Sequence, residues 1–461
     1  MANEAGYTPD QIMLTLAAIT YRGYDVVLPE PSRRAAVYRA TARSLDEFAP
    51  VRGDWDLVWG PASFDASFSG FDDAAMYVVR QRSKPSQYVI AVRGTHPLSL
   101  YDWVFGDFTV TRQVPWLVGG AVAGDAKISF STALGMSILQ HLRWQPGAGI
   151  HVPALWNDLG ASVQVFVHAA AGMVGARLAP AAADAFALVR GVREQLAGQR
   201  ARVERLASAL IPDSVAQWRS SVQQRLTSAT TRVGLQLIDQ GLRMVDGTSL
   251  DPLRLVLGGS VLRSEFAEGV SLHEFLAAVL RASGGPLQIA VTGHSKGGAL
   301  ATTLALALRN AQGAVGNVED RWDPDSKAEV SAYSFAGPTA GNAAFAQLSD
   351  QTIGARCRRV VNAHDIVPQA WAIAALANAG TTLGLSPADQ ATLQPALNQL
   401  VNAVMPLGYT PLEGQLLAFA APRPSGLSFV EQFAHQHLQA YLDEAGLGVV
   451  LTTADVFAPA L

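Results

Sequence analysis

Residues 287–300 read LQIAVTGHSKGGAL and contain G-x-S-x-G as Gly293, His294, Ser295, Lys296 and Gly297. An apolar run precedes the motif and a helical run, Gly297 to Leu308, follows it. A serine held between strand and helix is forced into a strained turn, and glycines on both flanks leave room for it. The helix that begins there aims its amide end at charge forming on a substrate. A serine hydroxyl is a poor nucleophile until a base takes its proton and an acid fixes that base, so an Asp and then a His are expected downstream. Residues 358–368, RRVVNAHDIVP, supply Asp365 just past a β-branched strand. Its neighbour His364 is a weaker candidate: adjacent side chains diverge, and an exposed loop histidine is the plainer reading. For the base, FVEQFAHQHLQAYLDEAG offers His435 and His437. Helical periodicity puts Val430, Phe433, Ala434, His437, Leu438, Tyr441 and Leu442 on one apolar face, with His435 beside Glu431, Gln432 and Gln439 on the polar side. His437 is therefore the expected base, and His435 remains the alternative if the helix begins after it. The backbone N–H of Lys296 offers one oxyanion donor. An early loop, Arg93, Gly94 and Thr95 followed by Tyr101, Asp102 and Trp103, is where a second would sit.

These groups need a frame. Trp55 to Trp59, Met76 to Arg80 and Tyr88 to Val92 are short β-branched and aromatic runs punctuated by Gly53, Gly60, Pro61, Gly70 and Pro85, which predicts strands that are antiparallel at this edge. Leu287 to Val291, Val330 to Phe335 and Arg358 to Asn362 form a second set, alternating with helical pattern. Strand–helix alternation predicts an α/β fold with a largely parallel centre. Near the start, Thr8, Pro9 and Gln11 make a capping box with proline at the first helical position, and Ile12, Leu16 and Ile19 follow at helical spacing.

Between the two strand sets, residues 146–261 show no convincing strand. Residues 144–189 hold only Asp158, Arg177 and Asp184 as charged groups, whereas 190–246 carry nine arginines and five acids, net +4. Val215, Trp218, Val222, Leu226, Ala229, Val233 and Leu237 recur three or four apart, an amphipathic helix. The expected organisation is a core from 1–145 and 262–461 interrupted by an all-helical insertion at 146–261, a lid or cap. The apolar stretch Ala161 to Ala176 is interrupted by Gln164 and His168 and is shorter than the ~20 residues of a membrane span.

The 461-residue chain is 49% hydrophobic and 16% charged with a net charge of -4, which excludes disorder and gives no basic footprint for nucleic acid. Cys357 alone excludes an intramolecular disulfide or a multi-cysteine metal site, and its place beside a strand predicts a buried structural thiol. The first residues lack a secretory signal pattern, pointing to cytoplasmic residence or a signal-independent export route.

With these residues in order, the chain resembles the class 3 lipase family of α/β hydrolases, as a bacterial-type member with a large helical insertion. The resemblance rests on five motifs. They are R-G-[ST] followed by D-W (Arg93 to Thr95, Asp102, Trp103), G-H-S-x-G-G (Gly293 to Gly298) and G-x-P-x-x-G-N in looser form (Gly337, Pro338, Gly341, Asn342). N-x-x-D-x-V-P (Asn362, Asp365, Val367, Pro368) and an H-L-x-Y-like ending (His437, Leu438, Tyr441) complete them. It implies Ser295 as nucleophile, Asp365 as orienting acid, His437 as general base, and Thr95 with Lys296 as oxyanion hole, with no cofactor or metal. Lys296 departs from the usual leucine, and a cationic side chain there would suit anionic or phospholipid-like esters. The insertion exceeds the short lid helix of the fungal relatives, and their disulfides are absent.

The expected function is a serine carboxylic-ester hydrolase acting on lipid or lipid-like esters, a triacylglycerol lipase or carboxylesterase, in transient contact with a lipid interface. Two alternatives stand beside it: a phospholipase A1-type enzyme, and a membrane-surface binding protein that uses the hydrolase core as scaffold through its arginine-rich face. For that face a solvated helix is the plainer reading.

Overall fold

The computed structural model describes residues 6–23, 32–64, 74–94, 110, 113–116, 124–144, 269–313, 322–372, 378–382, 384, 387–425, 427 and 429–458. The expected helical insertion at 146–261, its apolar and arginine-rich stretches, and Thr95, Tyr101, Asp102 and Trp103 lie outside these residues.

Seven strands make one sheet: β1 (Trp55–Phe64), β2 (Ala74–Gln81), β3 (Gln87–Val92), β4 (Gln288–His294), β5 (Glu329–Phe335), β6 (Cys357–Asn362) and β7 (Gln415–Phe419). They lie side by side in chain order. β1, β2 and β3 pair antiparallel, and every pairing from β3 to β7 is parallel. This is the antiparallel edge and parallel centre that the sequence predicts. Parallel strands need crossovers, supplied by α5 (Lys296–Asn310), α6 (Ala343–Ile353) and α7 (Pro387–Val404); ahead of these in the chain come α1 (Pro9–Ile19), α2 (Ser32–Glu47), α3 (Phe130–His141) and α4 (Leu272–Ser283). The step from β3 to β4 is different: it brackets the long stretch outside the described residues, so the sheet draws strands from both sides of it.

Two-residue periodicity sorts the strand side chains into two cores. Met76, Val78, Ile90, Val92, Ile289, Val291, Val330 and Ala332 face one side, against α3 to α6. Tyr77, Val79, Val89, Ala91, Ala290 and Val360 face the other, against α1 and the C-terminal helices. α1 starts where the capping box predicts: Thr8 Oγ1 accepts from the Gln11 amide and the Gln11 side chain accepts from the Thr8 amide. Its far end is tied to the sheet by Tyr77 Oη, donating to the Leu16 carbonyl at 2.6 Å.

Three details differ from the sequence reading. β1 runs on through Gly60 and Pro61, which look like a break in the sequence; it does so as an edge strand with shifted register between Trp59 and Ala62, a position that tolerates proline. β7 is not among the strands that the sequence pattern predicts; it is a five-residue strand, QLLAF, whose outer residues are largely exposed. The C-terminal helix is not regular: α8 (Phe429–Ala434) passes into a π-helical turn, His435–Gln439, before α9 (Ala440–Glu444). That extra residue in the turn rotates the faces, so Gln432 is buried instead of lying with the polar residues, and Gln436 is buried too.

Candidate active site

Ser295 joins β4 to α5 with φ 59° and ψ -134°, a conformation that non-glycine residues rarely adopt. The surroundings hold it there. Its amide donates to the Phe335 carbonyl at 2.9 Å, and its carbonyl accepts from the Gly298 amide at 2.8 Å. A β-carbon at Gly293 would run into the Gly297 carbonyl, and one at Gly297 would run into the Val92 carbonyl and the Gly94 amide. The flanking glycines therefore let the elbow close on itself and let the end of β3 pack against it. Lys296 is the first residue of α5, so its amide stands at the positive end of the helix dipole. Thr95, the other expected oxyanion donor, lies just beyond the last described residue of this loop, Gly94.

Asp365 sits three residues beyond β6 and is wholly buried. Three donors converge on its carboxylate, as a buried charge requires. His437 Nδ1 lies 2.8 Å from Oδ2, Tyr441 Oη donates to the same oxygen at 2.9 Å, and the Val367 amide donates to Oδ1 at 3.0 Å. Burial, reinforced by the Asp365 charge, pushes the Tyr441 phenol well above its ordinary pKa, so it remains a donor. The His437 ring stacks on Phe433 at 5.5 Å. With Nδ1–H given to the carboxylate, Nε2 is left as the proton acceptor.

The elbow and the base are in direct contact through His294. Its Nε2 donates to the His437 carbonyl at 2.7 Å, and the two rings are 4.7 Å apart between centroids. Burial above all, and then the proximity of His437, bring the His294 pKa down to about 3, which favours the neutral ring that donates to the His437 carbonyl. A small apolar cavity lined by Leu14, Ala18, Tyr21, Leu438 and Leu442, among others, lies against this histidine.

The structure thus gathers Ser295, Lys296, Asp365 and His437 into one region. His364 is not an exposed loop residue, as expected, but half-buried, with Nδ1 donating to the Ala421 carbonyl at 2.6 Å. The ring that reaches Asp365 is that of His437, while His435 stands two positions back at the start of the π turn. Cys357 is buried, and burial raises its thiol to about 12, leaving it unsuited to nucleophilic work. Sequence reasoning assigned no contacts to His294, Asn362 or Gln436; His294 and Asn362 enter only as letters of the G-H-S-x-G-G and N-x-x-D-x-V-P motifs, which do not say what will surround the side chains. Among the described residues no group of acidic, histidine and cysteine side chains could hold a metal ion, and no helix is long and apolar enough to cross a membrane.

A mostly parallel sheet covered on both faces, with a strained serine at a strand–helix elbow after β4, defines an α/β-hydrolase fold. Residues 262–374, which include Ser295 and Asp365, match the Lipase (class 3) family. A stretch of 86 residues is 36% identical to phospholipase A1-Igamma2, chloroplastic, of Arabidopsis thaliana. It makes up 18% of this chain and 14% of that protein, so the likeness spans only a small part of the plant relative. The crystal structure of M37 lipase is similar along nearly the whole chain, with a TM-score of 0.61, 23% identity and coverage of 98% of each chain. The chain shares the fold of that lipase, and its match to the class 3 lipase family lies in residues 262–374.

Proposed function

We propose that the protein is a serine carboxylic-ester hydrolase acting on lipid or lipid-like esters, as a triacylglycerol lipase or carboxylesterase, through an acyl-Ser295 intermediate. The observation that carries the reading is the His437–Asp365 hydrogen bond, held against the residue that precedes the strained Ser295. In this reading Ser295 Oγ attacks the ester carbonyl while His437 Nε2 takes its proton. Asp365 holds the imidazole orientation and stabilises the imidazolium. The oxyanion receives hydrogen bonds from the Lys296 amide and from Thr95. His437 returns the proton to the departing alcohol, and water, deprotonated by His437, then releases the acid and restores the serine.

A phospholipase A1-type activity is the second reading. It is favoured by the stretch shared with the plant phospholipase A1 and by the cationic Lys296 beside the nucleophile. Residues 146–261 are proposed as a helical cap over the site, with the remainder as the hydrolase core. Ser295→Ala should lower the turnover of p-nitrophenyl butyrate by at least about 10³-fold. Parental turnover by that variant would overturn the hydrolase reading, and liposome binding without ester turnover by the parent would favour the scaffold reading.

A further inference from the structure

We propose that Asn362 and Gln436 form a positioning pair that sets the turn carrying His437 against Asp365; the proposal rests on the serine-hydrolase reading above. Asn362 ends β6, three residues before Asp365, and Gln436 directly precedes His437. Both are fully buried. Asn362 Nδ2 donates to Gln436 Oε1 at 2.7 Å and to the Gln436 carbonyl at 3.0 Å. Asn362 Oδ1 accepts from the His364 amide at 3.1 Å and from the Ala421 amide at 3.2 Å. Gln436 Nε2 donates to the Pro422 carbonyl at 2.8 Å, and the Asn362 amide donates to Tyr441 Oη at 3.0 Å.

Every polar atom of the Asn362 side chain is used, and in one orientation only: its oxygen faces two amides and its nitrogen faces two oxygens. The pair therefore joins three things that must keep register, the acid loop, the residues after β7 and the turn that carries the base. A π turn is where such outside support matters, because its added residue breaks the regular helical ladder. Two successive carbonyls there, those of Gln436 and His437, each accept from a side chain outside the helix. A leucine or methionine at 436 would fill the same volume; the amide adds a fixed distance between the acid loop and the base. Displacement of a reacting group by about 1 Å costs about 100-fold in rate, so loosening this link should act on turnover more than on substrate binding.

The test uses the full chain, with Asn362→Ala, Gln436→Met, the double variant and Ser295→Ala. Turnover of p-nitrophenyl butyrate and the rate of serine labelling by a fluorophosphonate are measured, each normalised to the fraction finally labelled so that unfolded protein does not count. Each single variant should lower kcat and the labelling rate by about 10- to 100-fold with KM within about twofold, and the double variant should lose no more than the worse single, as expected for groups that act as a unit. Where Asn362→Ala fails to fold, Gln436→Met decides alone. Parental kcat and labelling in folded Gln436→Met, or losses that multiply in the double variant, overturn the pair. Turnover that survives in Ser295→Ala instead marks failure of the hydrolase reading itself.

Discussion

Ser295 holds a backbone conformation that costs about 1–3 kcal/mol, and the residue before it is equally constrained. The His294 ring is buried among Tyr21, His437 and Tyr441. In the unfolded chain this imidazole takes up a proton near pH 6.5, whereas in the folded protein it does so only near about 3. Between those values the unfolded chain binds more protons, so folding stability falls as the pH is lowered through that window. We expect His294→Gln to flatten the dependence of unfolding free energy on pH between 4 and 6 by up to about 1.4 kcal/mol per pH unit. Parallel slopes for parent and variant in denaturant titrations would show that His294 is not kept neutral by the fold. At this scale Ser295, Asp365 and His437 could be put forward as the proposed triad from residue type, chain order and helical periodicity. The surroundings of His294 could not, because its place in the G-H-S-x-G-G motif carries no sign of which distant residues will pack on it.

Among the elements, α5 does most to position the site, since it begins at the nucleophile and is buried from Gly297 to Leu308. A helix apolar on all sides must lie inside the molecule, and α5 packs between the sheet and α3 and α6. Leu304→Ala should therefore destabilise the protein by about 2–5 kcal/mol, the cost of an internal cavity. A loss under about 1 kcal/mol in equilibrium unfolding would show that the neighbours collapse into the space. The C-terminal helix teaches the opposite lesson. Regular periodicity put His437 inward, where it is found, but put Gln432 outward, where it is not. The π turn shifts the register, and nothing in a pattern of apolar and polar residues announces the added residue.

For the whole molecule, the sheet is assembled from strands on both sides of the stretch proposed as a cap. A cap that packs on the site and also faces lipid needs apolar surface, and residues 144–189, with three charged groups, have that composition. On the proposed reading, a panel of esters measured below and above aggregation should show the rate rising sharply once aggregates form. A flat response with preference for short acyl chains would argue instead for an esterase with an open site. Including phospholipid and triacylglycerol in the panel separates the two lipid readings by head group.

Sequence alone determined what depends on local pattern: the capped first helix, the alternation of strands and helices, the antiparallel edge, and a serine between strand and helix, with a candidate acid and base downstream. These follow from short-range sterics, capping and the burial of periodic apolar faces, all of which act within a dozen residues. Tertiary structure decided what depends on partners distant in the chain. β7 exists because β6 offers it an edge, and Gln436 turns inward because Asn362, 74 positions earlier, presents donors that satisfy it. A buried amide is stable only when its partner is in place, and which partner that is becomes defined only once the chain has folded.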